Sequence, residues 1–161
     1  MIKKRLFAPR TLITIGLAVS LAVSSFAQTT APGAKGWAAG AFLGEPTGIT
    51  VRYGVTDTQS FEAKAAWSLY NQTSLLVQAN YLQEFPGVIV IKGQDFPLYV
   101  GVGAEVNVGN TFGLGVRIPG GILYRFQKIP LELAFELGIG MQIIPSTSLQ
   151  GSGGFAVRYR F

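Results

Sequence analysis

Between Leu98 and Gln142 the chain changes polarity at almost every residue, and the polar half of that alternation is mostly glycine with a few long charged side chains. Leu98, Val100, Val102, Ala104, Val106 and Val108 alternate with Tyr99, Gly101, Gly103, Glu105, Asn107 and Gly109. Phe112, Leu114, Val116, Ile118, Ile122, Tyr124 and Phe126 do the same against Gly113, Gly115, Arg117, Gly121 and Arg125. Leu131, Leu133, Phe135, Leu137, Ile139 and Met141 then oppose Glu132, Ala134, Glu136, Gly138, Gly140 and Gln142. A period of two puts each set on its own face of a strand. A face washed by water takes Lys and Glu freely, whereas a face built largely of glycine is short of room. The polar face is therefore read as enclosed and the apolar face as outward, the reverse of a soluble sandwich or lipocalin.

Eight strand-like runs share this pattern, at residues 36 to 44, 48 to 55, 60 to 70, 74 to 85, 97 to 109, 112 to 126, 131 to 143 and 152 to 161. No stretch carries the i, i+3, i+4 apolar spacing of a helix. An even number of passes with lipid-compatible outer faces predicts an all-β fold, an eight-stranded antiparallel up-and-down transmembrane β-barrel with a filled polar lumen. Closure matters because a ring has no strand edge whose amide groups would lie unpaired in hydrocarbon. The chain closes on the same alternation, with Phe155, Val157, Tyr159 and Phe161 on one face and Arg158 and Arg160 on the other.

The first residues read as an address rather than as structure. Lys3, Lys4, Arg5 and Arg10 form a basic start, Leu12 to Val23 an apolar stretch, and Ser25-Phe26-Ala27 the small residues at which a signal peptidase cuts. Residues 1–27 are thus expected to be a cleaved signal peptide, 28–35 a flexible lead and 36–161 the barrel, one domain located in the bacterial outer membrane. The formal charge of +5 shrinks accordingly: four of the 13 basic residues lie in the signal, leaving nine against eight acids. Nothing remains that reads as a nucleic-acid surface. With no cysteine, the fold rests on packing and hydrogen bonds alone.

Eight strands enclose room for side chains and little else, so interior charges need partners. An up-and-down meander predicts these between neighbouring strands: Arg52 with Glu62, Glu105 with Arg117, and Glu132 with Arg125 and Arg160. Lys64, Glu136 and Arg158 complete the expected ion-pair ladder, read as compensating struts in a plugged lumen. Outward aromatics at one end of the strands, Trp37, Tyr53, Phe61, Tyr81, Phe85, Tyr124, Phe126, Tyr159 and Phe161, are expected to form a belt at the membrane interface. The connections at the opposite end are short, with residues 145–150 the longest of them. Residues 86–96, with the apolar run Val88 to Ile91, make the longest connection at the belt end.

Leu43-Gly-Glu-Pro-Thr-Gly-Ile49, Pro97-Leu-Tyr-Val-Gly-Val-Gly103, Gly115-Val-Arg-Ile-Pro-Gly-Gly121, Ile144-Pro-Ser-Thr147 and Val157-Arg-Tyr-Arg-Phe161 give the chain a resemblance. It resembles the small eight-stranded outer-membrane barrels typified by the OmpA transmembrane domain and OmpX, and more closely a group of short-looped bacterial outer-membrane barrels. The resemblance implies location and fold and transfers no activity. It also implies that the closing strand is read by the barrel-assembly machinery, with Tyr159 and Phe161 as assembly determinants.

The residue inventory argues against catalysis. The chain has no histidine, so Ser60 and Ser68 have no base of suitable pKa. Glu132 and Glu136 share a face and form a formal acid–base pair, but the arginines expected beside them favour plain ionised carboxylates. Without His or Cys only oxygen ligands remain for a metal, and Asp57 and Asp95 stand apart. The expectation is a monomeric, non-enzymatic barrel without cofactor or metal, in contact with outer-membrane lipid, with a structural or surface-interaction role and an unknown extracellular ligand. The alternative is a small passive channel for ions or small solutes.

Overall fold

The computed structural model describes residues 34–67, 75–109 and 111–161. The expected signal peptide, the lead up to residue 33, Ser68, the connection at residues 71–73 and Asn110 lie outside the described residues. Strands form where the alternation is strongest: β1 Gly36–Glu45, β2 Thr47–Gly54, β3 Gln59–Trp67, β4 Leu75–Phe85, β7 Leu98–Val108, β8 Gly113–Arg125, β9 Leu131–Ile144 and β10 Ser148–Arg160. Two short strands, β5 Val90–Ile91 and β6 Gln94–Asp95, make a separate hairpin.

The eight long strands close into one antiparallel barrel in the order β1-β10-β9-β8-β7-β4-β3-β2. The seam runs from Ala38 opposite Arg160 to Glu45 opposite Gly153. Pairing of β7 with β8 lapses around Gly101 and Pro119, where the proline has no N–H to give the ladder.

The face assignment holds throughout these strands. Val100, Val102, Val116, Ile118, Leu133, Phe135, Leu137 and Ile139 point outward, Ile139 with 68% of its surface exposed. Arg52, Glu62, Arg117, Glu132, Glu136 and Arg158 are buried. Alongside them the interior holds Phe42, Leu82, Tyr99, Leu123, Ala134 and Ala156, which pack between the charged groups.

Glycine on the inner face makes space for the large side chains of neighbouring strands. A Cβ on Gly121 would meet the Tyr99 ring at 2.8 Å and the carbonyl oxygen of Phe135 at 2.1 Å. Tyr99 stands opposite Gly121 in register, so its ring packs where that residue carries no side chain.

Two connections differ from expectation. Residues 145–150 were expected as an outward connection, yet β10 starts at Ser148, and Ser148, Leu149 and Gln150 pair with Gln142, Met141 and Gly140. Continuing the ladder satisfies backbone groups that a loop would leave to water. The segment 86–96 is likewise more than a connection, since β5 and β6 lie within it.

Candidate functional site

The inner faces of β2, β3, β4, β7, β8, β9 and β10 converge on one network of charge. At the end where β1 starts, Arg52 Nη1 donates to Glu84 Oε1 at 2.7 Å, and Arg125 Nη2 reaches both oxygens of Glu84 at 2.7 Å. Glu132 is enclosed, with 0% of its surface exposed, and receives three guanidinium groups: Arg125 Nε at 2.9 Å, Arg158 Nη1 at 2.8 Å, and Arg52. Arg158 also donates to Glu62, and its Nε reaches Thr50 Oγ1 at 3.3 Å. Glu62 accepts further from Thr50 Oγ1 at 3.1 Å and Asn80 Nδ2 at 3.2 Å, with Lys64 Nζ 3.2 Å away.

Toward mid-barrel Lys64 Nζ donates to Glu136 Oε1 at 2.5 Å and sits 4.3 Å above the centre of the Phe42 ring. Glu136 also accepts from Tyr99 Oη at 2.9 Å and from Arg117 Nη2 at 3.0 Å. Arg117 continues to Gln78 Oε1 at 2.6 Å and Ser152 Oγ at 3.1 Å, and Gln78 Nε2 donates to Glu105 Oε2 at 3.2 Å. Five cations (Arg52, Lys64, Arg117, Arg125, Arg158) thus share one connected network with five carboxylates (Glu62, Glu84, Glu105, Glu132, Glu136). Formal charge inside the ring sums to zero, as a region of low dielectric requires.

The ladder expected between neighbouring strands is therefore only part of the arrangement. Arg125 with Glu132 and Arg158 with Glu132 are register partners on adjacent strands and do pair. Arg52 stands opposite Glu62 in register, but its guanidinium turns to Glu84 and Glu132. The expected approach of Glu105 to Arg117 fails in register: Arg117 faces Gly103 while Glu105 faces Gly115, and Arg117 takes Glu136 instead. Arg160, expected to approach Glu132, lies half-buried at the end of β10 within electrostatic reach of Glu132 and Glu84, while Arg158, Arg52 and Arg125 hold the Glu132 carboxylate directly.

Among the described residues, three of the nine ion pairs cross the barrel. Lys64 on β3 and Glu136 on β9 stand on opposite walls, and Arg52 to Glu132 and Arg158 to Glu62 each span three strand steps. Sequence reasoning missed Glu84, Gln78, Asn80 and Thr50. Their alternation on β2 and β4 was the available signal, because Gln78, Asn80, Leu82 and Glu84 share the buried face.

The nine belt residues all lie on the outer face or continue it at the strand ends. Phe161 N–H donates to the Trp37 carbonyl; Tyr53 faces Trp37, Phe61 faces Tyr53 and Tyr81 faces Phe61, giving an aromatic file across five strands. Trp37 and Tyr53 ring centres are 4.7 Å apart, Phe61 and Tyr81 5.6 Å, Tyr124 and Phe126 4.8 Å, Tyr159 and Phe161 5.3 Å. Phe96, absent from the expected set, stacks on Tyr124 at 5.0 Å. Phe85 ends β4 at the same end of the barrel.

Both oxygens of Glu132 are engaged by guanidinium groups, and both oxygens of Glu136 by cation or phenol. Ser60 is buried without a hydrogen-bond partner. No group of three or more His, Cys, Asp or Glu side chains suited to a metal ion occurs among the described residues. An outer groove of about 610 Å³ lies over Gly120 and Gly121, lined by Phe85, Leu98, Val100, Ile122, Phe135 and Leu137. The Tyr99 hydroxyl points away from it, to Glu136. No protein-family model, curated protein or solved structure matches the chain.

Proposed function

We propose that the chain is an integral barrel of a bacterial outer membrane, with a structural or surface-interaction role, no catalysis and no continuous pore. The observation that carries this reading is the inverted polarity of the barrel: an apolar outer wall encloses a charge-balanced network. A soluble protein hides its apolar side chains and leaves large exposed apolar surfaces only where something covers them. Here the apolar surface runs around the ring and ends on an aromatic file, the pattern of a wall bordered by its membrane interface.

The struts argue for a plug. Conduction needs mobile charge or a water file, whereas Lys64, Arg52 and Arg158 bind Glu136, Glu132 and Glu62 across the bore. The test begins with urea-unfolded protein refolded into lipid vesicles, where unboiled and boiled samples are expected to run as different bands on a gel. The same protein in a planar bilayer is then expected to stay electrically silent. A single band overturns the membrane barrel; repeated stable openings convert the reading to a small passive channel.

A further inference from the structure

The segment that joins β4 to β7 leaves the barrel as the β5–β6 hairpin, and its fastenings define where it sits. Val90 pairs with Asp95 and Ile91 with Gln94, leaving Lys92-Gly93 as a two-residue turn. Both turn residues have positive φ, 51° and 78°, as the primed turns that suit a twisted hairpin require. Asp95 Oδ1 accepts the Gly87 N–H at 2.8 Å, and the Phe96 N–H donates to the Ile89 carbonyl at 2.8 Å, which closes the base of the hairpin.

The hairpin is held to the outside of the barrel. Tyr124 belongs to the outward set of β8, since Leu123 and Arg125 on either side of it are buried. Its hydroxyl donates to Gln94 Oε1 and its ring stacks on Phe96. Tyr124 in turn meets Phe126, so the hairpin continues the aromatic end of the wall.

What the hairpin displays there is apolar. Val88, Val90 and Ile91 have 41%, 50% and 54% of their surfaces exposed. Its acid, Asp95, is turned to the Gly87 backbone, and its base, Lys92, is exposed at the tip. Branched apolar side chains beside an aromatic belt, with an ammonium at the end of a flexible stem, match the boundary between acyl chains and anionic headgroups. We infer that the β5–β6 hairpin is an interfacial membrane anchor, in which Val88, Val90 and Ile91 enter the headgroup–acyl boundary and Lys92 reaches lipid phosphate. The occupant of this surface is lipid rather than a partner protein, because the surface is continuous with the aromatic end of the outer wall. The inference rests on the membrane-barrel reading.

The chain has no cysteine, so single-cysteine variants take an environment-sensitive fluorophore at one site each. Val90→Cys reports the hairpin, Ile139→Cys the outer wall, and Thr56→Cys the β2–β3 turn at the same end. Each is refolded into phosphatidylcholine–phosphatidylglycerol vesicles carrying bromines either near the headgroup or near the chain end, and folding is checked by the boiled and unboiled gel bands. The expected result is blue-shifted emission at position 90, quenched more by shallow bromines than by deep ones. The label at 139 is expected to be quenched by deep bromines, and that at 56 by aqueous iodide alone. A label at 90 that iodide quenches and bromine does not, with 139 still in the bilayer, overturns the anchor and leaves the barrel reading standing. A label at 139 untouched by either lipid overturns the barrel reading, and the anchor with it. Should Val90→Cys fail to show the folded band, Val88→Cys gives the same readout from the same exposed surface.

Discussion

Glu132 holds three guanidinium groups with two oxygens in a space closed to water, and that arrangement sets what substitution there must do. Replacing one partner of a buried ion pair leaves the others charged, desolvated and unmatched, which costs about 3–5 kcal/mol. Glu132→Gln is expected to lower the unfolding free energy of refolded protein by about that amount, read from urea titration followed by the fluorescence of Trp37 and Trp67. Glu62→Met and Arg158→Met are each expected to destabilise, while the double variant loses less than their sum, because deleting both leaves no orphan charge. Glycine makes the complementary case. Gly121→Ala drives a methyl into the Tyr99 ring and the Phe135 carbonyl and is expected to cost about 1–3 kcal/mol. At Gly151 a Cβ meets nothing within 4 Å, and Gly151→Ala is expected to change stability by less than about 0.5 kcal/mol in the same titration.

At the scale of elements the strands are unequal. β10 runs on past β1: it starts at Ser148, but its pairing with β1 starts only at Gly153 opposite Glu45. Residues 148–152 are therefore bonded to β9 on one side and open on the other, with Leu149 86% exposed. Strand segments with one partner open locally far more readily than those with two. Amides of residues 148–152 are expected to exchange with deuterium orders of magnitude faster than those of Phe155 to Arg160. Equal protection along β10 would show that another chain or the membrane covers the edge.

For the whole molecule the placement of charge decides its response to salt. Five of the eight acids and five of the nine bases outside residues 1–27 are bound to one another inside the ring, beyond the reach of mobile ions. The urea midpoint of refolded protein is therefore expected to be nearly the same in dilute buffer and in about 1 M salt, where the screening length is only about 3 Å. A midpoint that falls steeply with salt would place the network in contact with solvent and reopen the channel reading.

The inward and outward faces of the eight long strands were legible in the sequence, because the two-residue period is a local property of extended backbone. From it Arg52, Glu62, Lys64, Glu105, Arg117, Arg125, Glu132, Glu136, Arg158 and Arg160 were assigned to the interior, where all but the half-buried Arg160 are enclosed, and the outward aromatics to one end. Partner choice was legible only in part: Arg125 with Glu132 follows from the meander and holds. Strand order implies that neighbours pair, yet in so narrow a ring Lys64 reaches Glu136 on the far wall, and Arg52 and Arg158 reach Glu132 and Glu62 three strand steps away. Glu84 shows the same limit: its parity marked it as inward, but only the curvature of the closed sheet brings β2 and β8 close enough for Arg52 and Arg125 to reach it. The β5–β6 hairpin, fastened through Gln94 and Phe96 to a tyrosine thirty residues along the chain, belongs to the same class. Alternation acts residue by residue and determined the faces, whereas distances across a closed ring exist only after closure, so the tertiary structure alone chose which charges meet across it.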